Sequence, residues 1–325
     1  MEKRKLKILI IRFSSIGDIV LTSPVIRCLK KQVENTELHY LTKKAFEPVL
    51  SANPYIDKLH FLDQSLSESI RKLKAENFDF VIDLHHNLRT LQIKARLGIK
   101  SYSFDKLNMQ KWLLVNLKKN TLPPVHIVDR YLKTVEFLGV KNDNQGLDYF
   151  LQKEYNIRDM LPASHQQYVS VVIGAQHGTK RLPDERLLEL CSKIKSPVVL
   201  LGGPEDAERG ERIAAASGTH VFNACGKFKL DESAFLVKMS EKVISHDTGL
   251  MHIAAAFNKP VYSIWGNTVP EFGMYPYKTD ISYIFQVNGL GCRPCSKIGY
   301  KTCPKGHFNC MNQINLEEII TKVNG

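Results

Sequence analysis

The chain has 325 residues, 43% hydrophobic and 24% charged, enough for cores in two domains. No run approaches the roughly 18 apolar residues of a membrane span, and Arg12 and Asp18 interrupt the basic, apolar start too early for a signal peptide, so the sequence reads as cytosolic. The net charge of +12 is uneven, with 26 Lys+Arg against 17 Asp+Glu in residues 1–155 and 19 against 16 in residues 156–325. A basic first half calls for an anionic partner, either a phosphorylated substrate or an acidic membrane surface. Without a recognition-helix pattern, an RNP-like aromatic strand or a dense Arg/Lys block, no nucleic acid is expected.

Strand and helix signals then alternate. Leu6 to Phe13 reads as a strand whose Ile8-Leu9-Ile10-Ile11 core is continuously apolar, as a parallel strand buried on both faces requires. Asp18 to Val33 reads as a helix. Strands follow at Leu38 to Leu41, Lys58 to Leu62 and Phe80 to Leu84, and helices at Leu66 to Glu76, Leu88 to Leu97, Met109 to Lys118 and Val128 to Leu138. The polar stretch Gln152 to Gln167, with Pro162, reads as a linker. The rhythm restarts with strand Tyr168 to Gly174, helix Asp184 to Ile194, strand Val198 to Leu201, helix Asp206 to Ala216, strand His220 to Asn223 and helix Glu232 to Ser240. Strand Lys242 to Ser245, a helix from Thr248 and strand Val261 to Trp265 complete it. The expected class is α/β: two Rossmann-like doubly wound domains facing across a cleft, in residues 1–158 and 166–312, with a C-terminal helix in 313–325.

The densest chemical signal is Ser245-His246-Asp247-Thr248-Gly249-Leu250-Met251-His252. A strand turning into a small-residue helix presents unpaired amides at the positive end of the helix dipole, a place for a phosphate or diphosphate. Thr248 adds a hydroxyl, Gly249 lets an anion approach the backbone, and His252 lies one turn on. The plainer alternative is an Asp247 helix cap and a core His252. The first strand ends in Arg12-Phe13-Ser14-Ser15-Ile16-Gly17-Asp18. There Gly17 permits a tight turn, and Asp18 at the helix start can accept a hydroxyl proton or simply cap the helix. The glycines are too few for a G-x-G-x-x-G fingerprint, which argues against a simple NAD enzyme. Lys180 can meet a phosphate as a point charge. Glu205, after Gly202-Gly203-Pro204, can take ribose hydroxyls. Their alternatives are a solvated lysine and a first-turn acid.

The ordered set resembles glycosyltransferase family 9, the ADP-heptose:lipopolysaccharide heptosyltransferases, over nearly the whole chain. The resemblance runs through Arg12 to Val20 with Pro24, Asn53-Pro54-Tyr55-Ile56-Asp57, Asp83 to Thr90 and His126 to Leu132. It continues in Thr179-Lys180-Arg181, Gly202 to Glu205, Asp247 to Ala256, Pro260 and Gly266-Asn267-Thr268. It implies a GT-B architecture and an inverting, metal-independent transfer from a nucleotide sugar, ADP-heptose, to an anionic lipopolysaccharide-core acceptor. Carried over, Asp18 would be the general base. Lys180, Glu205, Asp247, Thr248, Gly249 and His252 would hold the donor. Ser15, Gly17, His85, His86 and Arg89 would lie on the acceptor side. Leu182 stands where many relatives place Trp, and the His85-His86 pair also departs from them, which leaves acceptor identity open. The same fold with another nucleotide sugar or surface glycan, and a non-catalytic nucleotide-sugar-binding protein, are the rival readings.

Two features stand outside this pattern. Cys292-x-x-Cys295, Cys303 and Cys310 lie within 19 residues with His307 between the last two, a set that permits a structural zinc site or a clasp of free thiols. No cofactor is expected for catalysis. Lys106 to Lys119 mixes Trp112, Leu113, Leu114, Val115 and Leu117 with four lysines. It reads either as a basic amphipathic helix resting on the inner face of the inner membrane or as a helix packed on its own sheet.

Overall fold

The computed structural model describes residues 4–325, which form two compact units. The first takes residues 4–106 and Val125–Gln152, and the second takes Leu107–Pro124 and Lys153–Gly325. The units therefore divide differently from the expected domains. The stretch around helix Asn108–Leu117 leaves the first half and joins the second unit, where Leu114 packs against Val269 and Phe272. The helix thus does not pack on the sheet of its own half, because its apolar partners come from the later sequence.

Each unit is built on one parallel sheet. In the first, β1 (Leu6–Ile11), β2 (Thr36–Thr42), β3 (Lys58–Phe61), β4 (Phe80–Asp83) and β5 (Ser101–Ser103) lie in the order β3-β2-β1-β4-β5. Ile8 pairs with Leu38 on one side and Phe80 on the other. Ile8, Leu9, Ile10 and Ile11 are wholly buried, as a central strand between two helix layers must be. In the second, β6 (Val169–Val172), β7 (Val198–Leu201), β8 (Val221–Asn223), β9 (Lys242–His246), β10 (Val261–Trp265) and β11 (Ser282–Gln286) lie in the order β11-β10-β9-β6-β7-β8. This is the doubly wound order, and it creates a topological switch point in each unit: between β1 and β4, and between β6 and β9. The C-terminal helix Leu316–Asn324 belongs to the second unit, its Leu316, Ile319, Ile320 and Val323 entering the core formed around β6, β7 and β9.

The α/β class and the two doubly wound sheets agree with the sequence reading, but details differ. The helix expected over 18–33 is two helices, Ile16–Val20 and Ser23–Gln32, because Pro24 has no N–H to donate and suits only a helix start. The helix expected from Val128 loosens into a 3-10 segment at Lys133–Leu138 before Gly139 turns left-handed at φ 77°. The edge strands β5 and β11 were not among the expected elements, whereas the edge strands β3 and β8 were. Among the described residues no helix is long and apolar enough to cross a membrane.

Candidate functional site

The switch point of the first unit is organised by Arg12. Leaving β1, its guanidinium donates to the Leu84 carbonyl beyond β4 at 2.6 Å, to the Tyr131 hydroxyl at 3.1 Å and to the Ser14 carbonyl at 2.7 Å. The same group lies 2.7 Å from Asp18 Oδ1. Asp18 Oδ2 accepts from the Ser15 amide at 3.1 Å and the Ser15 hydroxyl at 2.8 Å. Asp18 is thus the third residue of its helix, reaching back to the cap position rather than capping it. Burial alone would push its carboxyl up, but the Arg12 charge and the Ser15 donors outweigh burial and hold it below the ordinary aspartate value. Gly17 is not the pivot of a turn: it is buried inside the helix Ile16–Val20.

On the β4 side, Asp83 Oδ1 accepts from the His85 and His86 amides at 3.1 and 2.7 Å, which shapes the turn into helix Leu88–Leu97. His86 takes a left-handed backbone and its Nδ1 meets the Phe104 carbonyl at 2.9 Å. His85 packs against Phe13 with ring centroids 4.8 Å apart and the rings tilted by 52°. Burial, then the charges of Arg12 and Lys106, press its pKa down to about 4. His85 is therefore neutral near pH 7. Arg89 is exposed in the first turn of its helix.

The switch point of the second unit carries the other group. Thr248 is the N-cap residue of helix Gly249–Ala256, and its side chain caps none of the first-turn amides; its hydroxyl lies instead 3.2 Å from the Ser245 hydroxyl. Asp247 is not a cap. Its carboxylate accepts from Lys180 Nζ at 2.5 Å and from the Thr268 hydroxyl at 3.0 Å. The β6–helix loop thus delivers an ammonium group beside an uncapped, partly exposed helix start, where dipole and charge both favour an anion. His252 is 2% exposed within that helix. Glu205, on the exposed turn after β7, folds its carboxylate back over Gly203, where a Cβ would lie 2.3 Å from Glu205 Oε2.

Three side chains that the motif reading passed over fix this arrangement. His246, the last residue of β9, accepts from the Leu182 amide at 3.0 Å and so ties the Lys180 loop to the strand that feeds the helix. Burial, then Arg209 and Arg181, lower its pKa to about 3, which keeps the accepting nitrogen free of a proton. Arg181 donates to the Ala175 carbonyl and pairs with buried Asp206 at 3.1 Å. Arg209 holds the Ile173 and Leu182 carbonyls. The only sequence signal for His246 was a polar residue closing an otherwise apolar strand.

The cysteine loop braces the same site. Tyr300 N donates to Thr179 Oγ1 at 2.8 Å, and Arg293 donates to the Gly266 and Thr268 carbonyls at 2.6 and 2.8 Å. All seven cysteines are free thiols, with Cys292 Sγ 3.9 Å from His307 Nε2. Burial, then the neighbouring cysteines, push Cys295 up, and Cys310 rises to about 12. As they stand, the cysteines do not gather three ligand atoms within 4.8 Å of one another; among the described residues one other group does.

Comparisons with known proteins converge. The sequence profile of glycosyltransferase family 9 (heptosyltransferase) matches residues 67–305. Lipopolysaccharide heptosyltransferase 1 of Campylobacter coli is 26% identical, over 98% of this chain and 98% of its own length. The glycosyl transferase family 9 structure from Veillonella parvula superposes with a TM-score of 0.79 at 23% identity, covering 99% of this chain and 97% of that one. The E. coli heptosyltransferase WaaC, solved with ADP, superposes with a TM-score of 0.70 at 20% identity, covering 98% and 99%. WaaC has also been solved with ADP-2-deoxy-2-fluoro heptose.

Proposed function

The chain belongs to glycosyltransferase family 9, the heptosyltransferases, and from that premise we propose that it moves a heptose from ADP-heptose to an anionic lipopolysaccharide-core acceptor, with inversion and without a catalytic metal. The observation that carries this reading is that one switch point sets Lys180 beside an uncapped helix start and the other sets the Asp18 carboxylate beside Arg12. In the second unit, the amides opening the helix at Gly249, the Thr248 hydroxyl and Lys180 hold the pyrophosphate, and Glu205 takes the ribose. Bond breaking leaves a nucleoside diphosphate whose charge grows in the transition state. Lys180 moves from Asp247 to that charge and supplies what a divalent cation would otherwise supply. In the first unit, Asp18 accepts the proton of the attacking hydroxyl. Its lowered basicity suits an oxocarbenium-like displacement, in which the hydroxyl proton becomes acidic only as the new bond forms. Arg12 keeps that carboxylate ionised and aimed, while Ser15, Gly17, His85, His86 and Arg89 frame the acceptor.

Turnover of purified protein with ADP-heptose and a core acceptor tests the donor assignment, and turnover with a UDP- or GDP-sugar but not with ADP-heptose overturns it. Lys180→Ala is expected to lower kcat about 10²- to 10³-fold.

Two lesser assignments accompany the reading. Helix Asn108–Leu117 exposes Met109, Trp112 and Leu117, which supports a peripheral contact on the cytoplasmic face of the membrane. Two of the lysines flanking it are already committed: Lys106 to the His86 carbonyl, and Lys118 to the Pro294 carbonyl. Sedimentation with anionic vesicles checks it, Trp112→Ser lowering the bound fraction. The cysteine loop takes a structural zinc through Cys292, Cys295, Cys303 and Cys310, which would draw the thiolates together behind Thr179. Metal analysis giving less than a tenth of an equivalent, with four titratable thiols, removes that assignment.

A further inference from the structure

The group that does gather its ligand atoms is His39, His60 and Glu76, whose donor atoms all fall within 4.8 Å of one another. His39 stands on β2, wholly buried, and His60 on the edge strand β3, with Leu41 directly opposite it. His39 Nδ1 and His60 Nε2 face each other at 2.8 Å. Phe78 closes the apolar side, its ring edge-on to both imidazoles at 5.0 and 6.0 Å between centroids. Glu76 follows helix Leu66–Ala75 at its C-cap position. A carboxylate there opposes the helix dipole and needs a compensating cation. At present that cation is Lys58, 2.5 Å away and half exposed, so it can swing out.

The geometry points to a divalent transition-metal site, of the zinc class, formed by His39 Nδ1, His60 Nε2 and a Glu76 oxygen, that staples the edge strand β3 to the helix before it in space. Two observations beyond the cluster itself support this. First, His39 Nε2 lies 2.8 Å from Glu37 Oε1, so the ring's far nitrogen donates to a carboxylate and its near nitrogen offers a lone pair. This carboxylate–histidine arrangement is the usual outer support of a metal-bound imidazole. Second, zinc–nitrogen bonds of about 2.0–2.1 Å at a tetrahedral angle set the two nitrogens about 3.3 Å apart, a small opening of the present contact on an edge strand. The proton bookkeeping closes. His60 Nε2 now donates to His39 Nδ1; on binding, that proton moves to His60 Nδ1, both rings stay neutral, and Lys58 releases Glu76. Two imidazoles and one carboxylate leave a fourth position for water, and imidazole-rich sites favour zinc over magnesium or calcium.

The test uses the full chain, stripped with a chelator and titrated with Zn(II) by calorimetry and with Co(II) by absorption. The expected result is one equivalent of cobalt whose visible bands come without a thiolate charge-transfer band, which separates this site from the cysteines. Glu76→Gln and His60→Gln should each weaken that equivalent at least about tenfold, and Glu37→Gln, which removes no ligand, by about 10- to 100-fold. Glu76 sits at a partly exposed helix end, so its variant carries the test if His60→Gln does not fold. The assignment is overturned if all bound cobalt shows the thiolate band, or if Glu76→Gln binds with unchanged affinity.

Discussion

Asp18 and Arg12 show how one ion pair sets both charge state and position. The pair sits 2.7 Å apart at the end of β1, and folding lowers the Asp18 pKa against the opposing effect of burial. The sign follows. A carboxylate with a depressed folded pKa adds stability at pH values above its unfolded value, near 4, and that contribution disappears as pH falls through the folded value. For the proposed base the same shift places the acid limb of kcat/KM below pH ~4. Arg12→Gln removes the charge and leaves burial, so the limb should move to higher pH, with Arg12→Lys moving it less; pH–rate profiles on folded variants check this. Asp18→Asn should cut turnover about 10²- to 10⁴-fold while calorimetry finds ADP binding intact. His246 acts through another group. Its loss leaves the buried Leu182 amide without an acceptor, at about 1–3 kcal/mol, so His246→Ala should raise the donor KM more than it lowers kcat, and His246→Gln should recover part of the loss. Asp18 drew attention beside Gly17 at a helix start, and Lys180 through the resemblance to the family. His246 was not, because a histidine closing a strand looks the same in sequence whether or not a distant amide donates to it.

At the scale of elements, the loop Gly178–Lys180 is the sensitive one. A Cβ on Gly178 would lie 2.2 Å from the Lys301 carbonyl, a backbone atom that cannot swing aside. Gly178→Ala should therefore cost about 1–3 kcal/mol and weaken ADP binding, since the displaced loop carries Lys180; thermal melts and calorimetry measure the two effects. The cysteine loop thus supports the proposed donor site by packing, whatever its metal content. Central strands such as Leu6–Ile11 and Val198–Leu201 were legible because full burial demands unbroken apolar runs. The edge strand Ser101–Ser103 escaped because three residues, two of them serine, carry no apolar run, and Ser282–Gln286 was not expected either.

For the whole molecule, two units with separate cores are expected to respond separately to a ligand held by one of them. ADP at about 100 times its Kd should stabilise the second unit by about 2.7 kcal/mol, read as slower hydrogen exchange in β6, β9 and the helix Gly249–Ala256. Equal slowing of β1 and β4 would contradict a donor site confined to the second unit. The sequence by itself determined the α/β class, the doubling of the Rossmann-like pattern, the family, and the two strand-to-helix turns that bear the candidate site. All of these are written in windows of a few to a few dozen residues, through burial period and turn chemistry. Only the tertiary structure decided that residues 107–124 join the second unit, that Asp247 holds Lys180 across 67 positions of sequence, that Arg12 rather than a cap restrains Asp18, and that two histidines on neighbouring strands converge. Such contacts depend on which distant segments the packed core brings together, and no local pattern carries that information.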